Sequence, residues 1–239
     1  MASVCVCSDY FTINDAGELC LLPGRQGLRQ VRVFSDPGTF TFRPGDYPWL
    51  SRVRVMCQGA GGGSAGANAA ANQCIVRPGA AGGGYAESVI QVSALGAVES
   101  IVVGAGGAPG TGNQPGAAGG SSSFGGLVIA LGGDGGTANQ TSGTTPNTAS
   151  GVAGPFGGTG QQSSGGGAGG SAIRLSATQG VSGAGGESRL GHGGFSRGSE
   201  GVGSASRGYG GGAGGSLSYG ASVAGFEGGK GIVIVELYG

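Results

Sequence analysis

The chain has 239 residues, of which 62 are glycine, and its 12 lysines and arginines balance its 12 aspartates and glutamates. This balance leaves no basic face to neutralise phosphates, which argues against a nucleic-acid partner. Glycine at this density would destabilise a helical, close-packed domain, because glycine loses more backbone freedom on folding than any other residue. The composition is also untypical of a disordered chain, because only 10% of the residues are charged and 38% are hydrophobic.

Glycine is distributed unevenly along the chain. Only five glycines precede Gly59, whereas roughly a third of the later residues are glycine. Between Ile101 and Ile173 the only charged residue is Asp134. The change in composition falls between Ser35 and Gly59, and it predicts an N-terminal segment, residues 1–34, followed by a glycine-rich domain, residues 35–239.

Short β-branched segments separate the glycine runs and predict about eight strands and no helix. In the clearest segment, Val53, Val55 and Cys57 alternate with polar or longer side chains, the period of a half-buried strand. The predicted strands are Val31–Phe34, Gly38–Phe42, Leu50–Gln58, Tyr85–Val92, Val98–Val103, Leu127–Leu131, Ala172–Leu175 and Ile232–Tyr238.

The glycine runs predict extended helices of the polyglycine II type, with about three residues per turn. Such a backbone makes no internal hydrogen bonds, so its buried amides must pair with neighbouring helices, and a Cβ would block that approach. Collagen is excluded because the glycines do not recur at every third position and only nine prolines occur. A disordered, elastomer-like region remains an alternative, although it does not explain the strands between the runs. The main runs are Gly59–Gly63, Gly104–Gly107, Gly165–Gly170 and Gly210–Gly215.

Two segments partly match catalytic motifs. Gly194–Gly198 has the spacing of a nucleophile elbow, which requires a preceding strand, a following helix, and a base and an acid within reach. Gly225–Lys230 resembles part of a phosphate loop, but Gly231 stands where a hydroxyl residue would hold magnesium. Neither match is complete, and we predict that the protein is not an enzyme.

The five cysteines are an odd number, so they cannot all pair within one chain. Cys5, Cys7 and Cys20 could in principle ligate a metal, but the alternation of Cys5 and Cys7 with valines suits a strand better than a zinc site. We interpret all five as free structural thiols and predict neither a metal nor a cofactor.

The hydrophobic segments are all short. None approaches the roughly 20 residues of a membrane span, and Met1–Tyr10 lacks the basic start and apolar core of a signal peptide. We therefore expect neither membrane insertion nor secretion.

Several landmarks follow one another in a fixed order from Gly38 to Gly239. They are Gly38–Phe42, Pro48, Val53–Val55, Gly59–Gly63, Gly82–Tyr85, Val102–Gly107, Gly119–Phe124 and Gly228–Val235. This succession resembles the glycine-rich domain of bacteriophage tail-tip and tail-fibre proteins. The first 34 residues, with Asp9–Asn14, Gly17–Cys20 and Pro23–Gly24, resemble the start of minor tail proteins of phages that infect actinobacteria.

The resemblance implies an all-β fold, a jelly-roll-like β-sandwich elaborated by packed polyglycine II helices, with residues 1–34 as a virion-attachment segment. It also implies a homotrimer in the virion tail, assembled in the cytoplasm of the host bacterium and bound to other tail proteins and to a host receptor. A trimer could supplement a thin core by burying strand faces such as Ile232–Val235 between subunits. The long polar insertion Thr137–Ala149 departs from the short tips of compact adhesins, so the sequence does not identify which loops bind the receptor.

Candidate receptor contacts lie in the most charged and aromatic part of the glycine-rich region. Aromatic faces and an arginine fork suit a glycan or an exposed protein loop. The alternative is that the aromatic side chains cover small apolar patches between glycine helices. The candidates are His192, Phe195, Arg197, Tyr209 and Tyr219.

Three functions remain open from the sequence. The first is a non-enzymatic tail-tip or fibre protein that binds a host-surface glycan or protein. The second is a head-fibre, decoration or neck protein with no receptor. The third is a cellular glycine-rich module, because the extracellular region of certain receptor kinases is similar in pattern.

Overall fold

The computed structural model describes residues 8–22 and 24–239, and its regular structure is almost entirely antiparallel β. The described residues form 20 strands and two single-turn 3-10 helices, Pro44–Asp46 and Val92–Ala94. The all-β prediction is confirmed. The strands are β1 (Phe11–Ile13), β2 (Leu19–Leu21), β3 (Leu28–Phe34), β4 (Gly38–Phe42), β5 (Arg52–Gln58), β6 (Ala67–Asn68), β7 (Ile75–Val76), β8 (Tyr85–Gln91), β9 (Glu99–Val103), β10 (Ser122–Phe124), β11 (Val128–Ala130), β12 (Asn147–Ala149), β13 (Gln162–Ser164), β14 (Ala172–Arg174), β15 (Gly180–Val181), β16 (Gly191–His192), β17 (Arg207–Gly208), β18 (Leu217–Ser218), β19 (Ser222–Val223) and β20 (Ile232–Tyr238).

Two sheets face each other across the main hydrophobic core. One has five strands in the order β13-β8-β5-β20-β3, and the other has four in the order β11-β10-β9-β4. Val55 and Val235, directly opposite each other on β5 and β20, pack in one cluster with Ile101 and Phe124 of the second sheet. The alternation of Val53, Val55 and Cys57 places all three inside, as the sequence predicts. The arrangement is a β-sandwich.

All eight predicted strands are present, two of them with the predicted bounds, Gly38–Phe42 and Ile232–Tyr238. The other strands are only two or three residues long, and the sequence did not predict them. Such pairs as Leu217–Ser218 with Ile75–Val76 are too short to show a period of two. These short strands form because the surrounding glycine segments bring the two stretches of the chain together.

The glycine runs form a hydrogen-bonded lattice around the segment 59–66, here called the central glycine helix. Its successive amides donate to three different segments, and the sequence of partners repeats after three residues, as expected for an extended three-fold helix. The bonds from N to O are Ala60 to Gly120 at 3.0 Å, Gly61 to Gly229 at 2.8 Å, Gly62 to Ala81 at 2.9 Å, Gly63 to Ala117 at 2.9 Å and Ser64 to Phe226 at 2.9 Å.

The carbonyl groups of the central glycine helix accept hydrogen bonds from three further segments. Each of these segments is also hydrogen-bonded to two of the segments that accept bonds from the central helix, so the central helix has six neighbours. This is the packing expected of polyglycine II helices, and it satisfies the backbone groups that the extended helix cannot pair internally. The bonds from N to O are Gly107 to Gly61 at 2.9 Å, Gly110 to Ser64 at 2.9 Å, Gly133 to Ala60 at 2.8 Å, Gly136 to Gly63 at 2.8 Å and Ala213 to Gly62 at 3.0 Å.

Gln58 joins the sandwich to the lattice. It is the last residue of β5, is fully buried, and precedes the central glycine helix directly. Its side-chain Nε2 donates to the carbonyl oxygens of Gly83 and Gly84, both at 2.9 Å. A buried amide bonded in this way fixes the end of β5 relative to the glycine segment 83–84.

The N-terminal segment contributes to the main sheet. β3 pairs along its length with β20 and forms one edge of the five-stranded sheet, whereas β1 and β2 form a separate hairpin. Residues 1–7 and Pro23 of the predicted attachment segment lie outside the described residues. The domain boundary at residues 34 and 35 stays a prediction.

Three of the four residues of Ile232–Val235 are buried within a single chain, and Ile234 is half-buried. Ile232 is 4% exposed, and Val233 and Val235 are fully buried in the sandwich. These three residues therefore need no second subunit to be buried, and the homotrimer remains a prediction. Among the described residues, no helix has the length and apolarity to cross a membrane.

Candidate functional site

The sequence-predicted contacts His192 and Phe195 lie at an outward excursion of the lattice, residues 187–209. Lattice bonds hold its base, since the Gly185 amide donates to the Gly194 carbonyl at 2.8 Å and the Gly194 amide to the Gly212 carbonyl at 2.9 Å. Within it, β16 and β17 pair so that His192 lies directly opposite Arg207. Side chains of directly opposed strand residues lie on the same face of the pair.

Two surface depressions share the side chains of His192 and Arg207. The first, here called the basic depression, has a volume of about 410 Å³ and is also lined by Arg189, Ser188 and Leu190. The second, here called the aromatic depression, has a volume of about 190 Å³ and is also lined by Phe195 and Ala205. The two depressions form one continuous candidate binding surface, with His192 and Arg207 between them.

The charged groups around the basic depression are largely exposed. His192 Nδ1 lies 2.9 Å from Glu187 Oε2, and both side chains are mostly in contact with solvent. The Arg189 guanidinium lies over the Tyr85 ring, 4.4 Å from its centroid. Arg207 is exposed and forms no ion pair with the described part of the chain. Within the described ranges, neither Arg189 nor Arg207 has a carboxylate at ion-pair distance.

Arg197 supports the aromatic depression from the side. Its guanidinium lies 5.3 Å from the centroid of the Phe195 ring, and Phe195 is 57% exposed. The Arg197 amide donates to Ser182 Oγ at 2.8 Å, which ties this residue to the lattice. Stacking on the guanidinium limits the motion of the Phe195 ring while leaving much of the ring accessible.

Tyr209 contacts the rest of the excursion mainly through backbone hydrogen bonds. Its amide donates to the Leu190 carbonyl at 3.1 Å, and its carbonyl accepts a bond from Ser188 Oγ. The side chain is half-buried and does not line either depression. Tyr209 therefore helps to shape the basic depression rather than to form its surface.

Tyr219 lies apart from the other candidates. Its ring packs against the second apolar cluster, which includes Cys74, Val76 and Leu217. Its amide donates to Glu200 Oε1 at 2.6 Å, and burial raises the pKa of its hydroxyl above the ordinary value. Of the alternatives open from the sequence, this position fits the covering of an apolar patch between glycine segments.

Sequence reasoning missed three charged residues at this surface, Glu187, Arg189 and Arg207. The sequence signal for these residues was the local density of charge: residues 187–207 contain five charged residues, whereas the stretch from Ile101 to Ile173 contains only one. What the sequence could not show is the pairing of β16 with β17, because each strand has only two residues.

The polar insertion Thr137–Ala149 forms a separate surface. A depression of about 400 Å³ is lined by amide and hydroxyl side chains, among them Asn139 and Asn147, without a charged or aromatic group. Two buried arginines hold the insertion from beneath: Arg77 donates to the Gln140 carbonyl at 2.8 Å and Arg174 to the Thr141 carbonyl at 2.7 Å. The insertion is thus a fixed part of the surface.

The partial catalytic motifs lie in extended chain. Ser196 of Gly194–Gly198 is exposed, and within the described residues no helix follows it. No group of three or more histidine, cysteine, aspartate or glutamate side chains in the described ranges could hold a metal ion. Cys5 and Cys7 lie outside those ranges, and the described cysteines Cys20, Cys57 and Cys74 are free thiols.

The fold and its surface define a class of protein: an all-β sandwich whose glycine-rich connections are packed into a polyglycine II lattice that presents outward loops. The sequence profile of the glycine-rich domain family matches residues 35–238. The chain belongs to this glycine-rich domain family. No curated protein sequence matches the chain significantly.

Proposed function

We propose that this protein is a structural component of a bacteriophage virion, exposed at the tail tip or fibre, and that it adsorbs the particle to a host-surface glycan or protein. In this proposal residues 1–34 bind other tail proteins, the chain assembles as a homotrimer in the host cytoplasm, and residues 35–239 are exposed. The resemblance of the landmarks from Gly38 to Gly239 to phage tail proteins motivates the virion location.

One observation carries the adhesion part of the proposal: an exposed aromatic and cationic surface is mounted on a lattice whose central helix is hydrogen-bonded on six sides. A loop that is already ordered loses less conformational entropy when it binds. The lattice therefore supports binding by keeping the excursion 187–209 in one shape. Exposed aromatic rings beside arginine forks are typical of contacts with sugars and with protein loops.

The test uses the full chain, labelled with a fluorophore, on a panel of actinobacterial cells and in competition with phage adsorption. Wild-type protein is expected to bind susceptible cells and to reduce adsorption. Phe195→Ala is expected to weaken cell binding about tenfold, since buried aromatic contacts at interfaces are worth about 1–3 kcal/mol. The matched control is Phe156→Ala, because Phe156 is 89% exposed and lies outside the excursion.

The alternative of a head-fibre, decoration or neck protein makes different predictions. The chain would then bind no cells of a susceptible host, and a cryo-EM map of the particle would show its density on the capsid or neck. Density at the distal tail together with cell binding would support adsorption. Loss of cell binding with Phe156→Ala and not with Phe195→Ala would place the contact surface elsewhere.

A further inference from the structure

We propose that the ligand of the basic depression is an anionic glycan, bound by Arg189 and Arg207 through a phosphate or carboxylate group with an adjoining sugar ring against Phe195. This inference rests on the proposed adhesion function and specifies the chemistry of its receptor.

The charge of the depression selects an anion. The whole chain has a formal net charge of zero, yet Arg189, Arg207 and the only histidine of the sequence line this one depression, and its described lining contains no carboxylate. Glu187 Oε2 lies 2.9 Å from His192 Nδ1. A guanidinium fork matches the geometry of phosphate and carboxylate oxygens and can bind them through two parallel hydrogen bonds.

The arginines are positioned for binding rather than for internal pairing. Arg189 lies on the Tyr85 ring, and the Tyr85 hydroxyl is fixed in turn by a 2.6 Å hydrogen bond to Glu87 Oε2. Stacking holds the guanidinium plane but uses none of its N–H donors. Arg207 is fixed at its backbone by the pairing of β17 with β16, and its side chain is exposed beside His192.

The neighbouring aromatic depression adds a site for a sugar ring. Phe195 and Arg207 both line it, so a group bound at Arg207 is close to the exposed Phe195 ring. Aromatic faces suit the apolar face of a pyranose, whereas the fork suits a charged substituent. The two depressions together fit a polymer in which sugars and anions alternate better than they fit an uncharged glycan.

Binding of the full chain to three immobilised polymers tests the inference. The probes are phosphorylated dextran, polygalacturonate and neutral dextran, each measured by interferometry at low and high salt. Wild-type protein is expected to bind at least one polyanion and not neutral dextran, with binding weakened by salt. Binding to the phosphate polymer alone, or to the carboxylate polymer alone, identifies the source of the anion, and either supports the proposal.

Variants separate a specific site from general charge attraction. Arg189→Gln and Arg207→Gln are each expected to weaken polyanion binding about tenfold, because hydrogen bonds to charged groups are the strong ones. Glu187→Gln is expected to tighten binding about threefold, since it removes a neighbouring negative charge. Arg43→Gln is the matched control. Arg43 is exposed directly after the end of β4, lines neither depression and belongs to no ion pair with the described residues.

Three results would overturn the inference: binding to neutral dextran as tight as to the polyanions, binding to neither polyanion, or equal loss with Arg43→Gln and Arg207→Gln. The proposed function fails separately. If the chain adsorbs to host cells and Arg207→Gln leaves that adsorption intact, the anionic ligand is wrong and adhesion stands. If both arginines are needed for polyanion binding and no susceptible cell is bound, the ligand class stands and adhesion is wrong.

Discussion

At the residue scale, the glycines of the lattice are explained by steric exclusion rather than by flexibility. Gly62 has no positive φ, so an ordinary residue could adopt its backbone conformation. A Cβ built on Gly62, however, would lie closer than 3.0 Å to the Asp134 carbonyl oxygen, which real Cβ atoms essentially never do. Space, and not conformational freedom, is the reason for glycine at this position.

Gly62→Ala is therefore expected to lower the free energy of unfolding by about 3 kcal/mol, the upper part of the range for overpacked sites. The added methyl group would push apart segments whose hydrogen bonds also contribute to stability. Urea denaturation followed by circular dichroism measures the change. Gly126→Ala is the control, because a Cβ there has no atom within 4 Å, and its effect is expected to stay within about 1 kcal/mol. Equal stability of the two variants would contradict the steric explanation.

At the element scale, the insertion Thr137–Ala149 is held by hydrogen bonds from buried arginines and not by strand pairing alone. Arg174 is 5% exposed and donates to the carbonyls of Thr145, Thr141 and Cys74 at 2.7 to 2.8 Å. Arg77 is fully buried, and burial lowers the pKa of its guanidinium to about 10, so it is still charged at neutral pH. The hydrogen bonds of both side chains join the polar insertion to neighbouring segments of the glycine-rich region.

Arg174→Met is expected to loosen the insertion, because methionine fills the space but leaves three carbonyl groups without their donors, each costing about 1–3 kcal/mol when buried. The loop can recover these bonds only by opening to water. Amide hydrogen exchange of residues 140–147 should rise about tenfold or more. Arg43→Met, at an exposed position, should leave that exchange unchanged. Unaltered protection from hydrogen exchange in Arg174→Met would show that the insertion holds its shape without the hydrogen bonds of Arg174.

Element prediction from the sequence succeeded where a strand was long enough to show a period. β5 and β20 each have seven residues; alternation in β5 indicates both the strand and its buried face, whereas β20 is indicated by its run of β-branched residues. β16 and β17 have two residues each and consist of Gly191–His192 and Arg207–Gly208. No local pattern can indicate such a pair, because its register depends on lattice contacts made on either side.

At the scale of the whole molecule, titratable groups are buried both in the sandwich and in the glycine-rich region. Cys57 lies in the sandwich core, and burial raises the pKa of its thiol from the ordinary value of 9.0 to about 12. Burial likewise raises the pKa of the Cys74 thiol and of the Tyr85 hydroxyl. In the unfolded chain these groups ionise at a lower pH than in the folded protein.

Stability is therefore expected to fall as the pH rises above about 9. Between pH 9 and 12 the folded protein keeps the Cys57 proton that the unfolded chain loses, so this contribution is complete below pH 9 and is lost as the pH rises. From pH 8 to pH 10, Cys57 alone should lower the free energy of unfolding by about 1.4 kcal/mol.

Urea unfolding of wild type and Cys57→Ala at pH 8, 9 and 10 measures this contribution. The variant should be less stable at pH 8, because it leaves a small cavity, and should lose less stability with pH than wild type. Measurements stop at pH 10, since the lowered pKa of Arg77 acts in the opposite direction above it. The same decline in both proteins would show that Cys57 does not titrate on unfolding.

Much of the architecture follows from local patterns in the sequence. Alternation in segments such as Arg52–Gln58 specifies strands with one buried face, and glycine runs exclude every structure in which a Cβ would be needed for packing. The sequence also indicated the charged and aromatic part of the chain in which His192 and Phe195 lie. These properties are local, because each depends on the periodicity or the volume of neighbouring side chains.

Long-range packing, in contrast, sets which glycine segments are neighbours and where the candidate binding surface lies. Glycine segments are similar in sequence, so no side chain specifies which segment pairs with which. The partner of each segment is set by the strands at its two ends and by the number of residues between those strands. Arg189 and Arg207 meet at the basic depression, whereas Tyr219 is directed to a separate apolar cluster, because the lattice fixes where each loop leaves it.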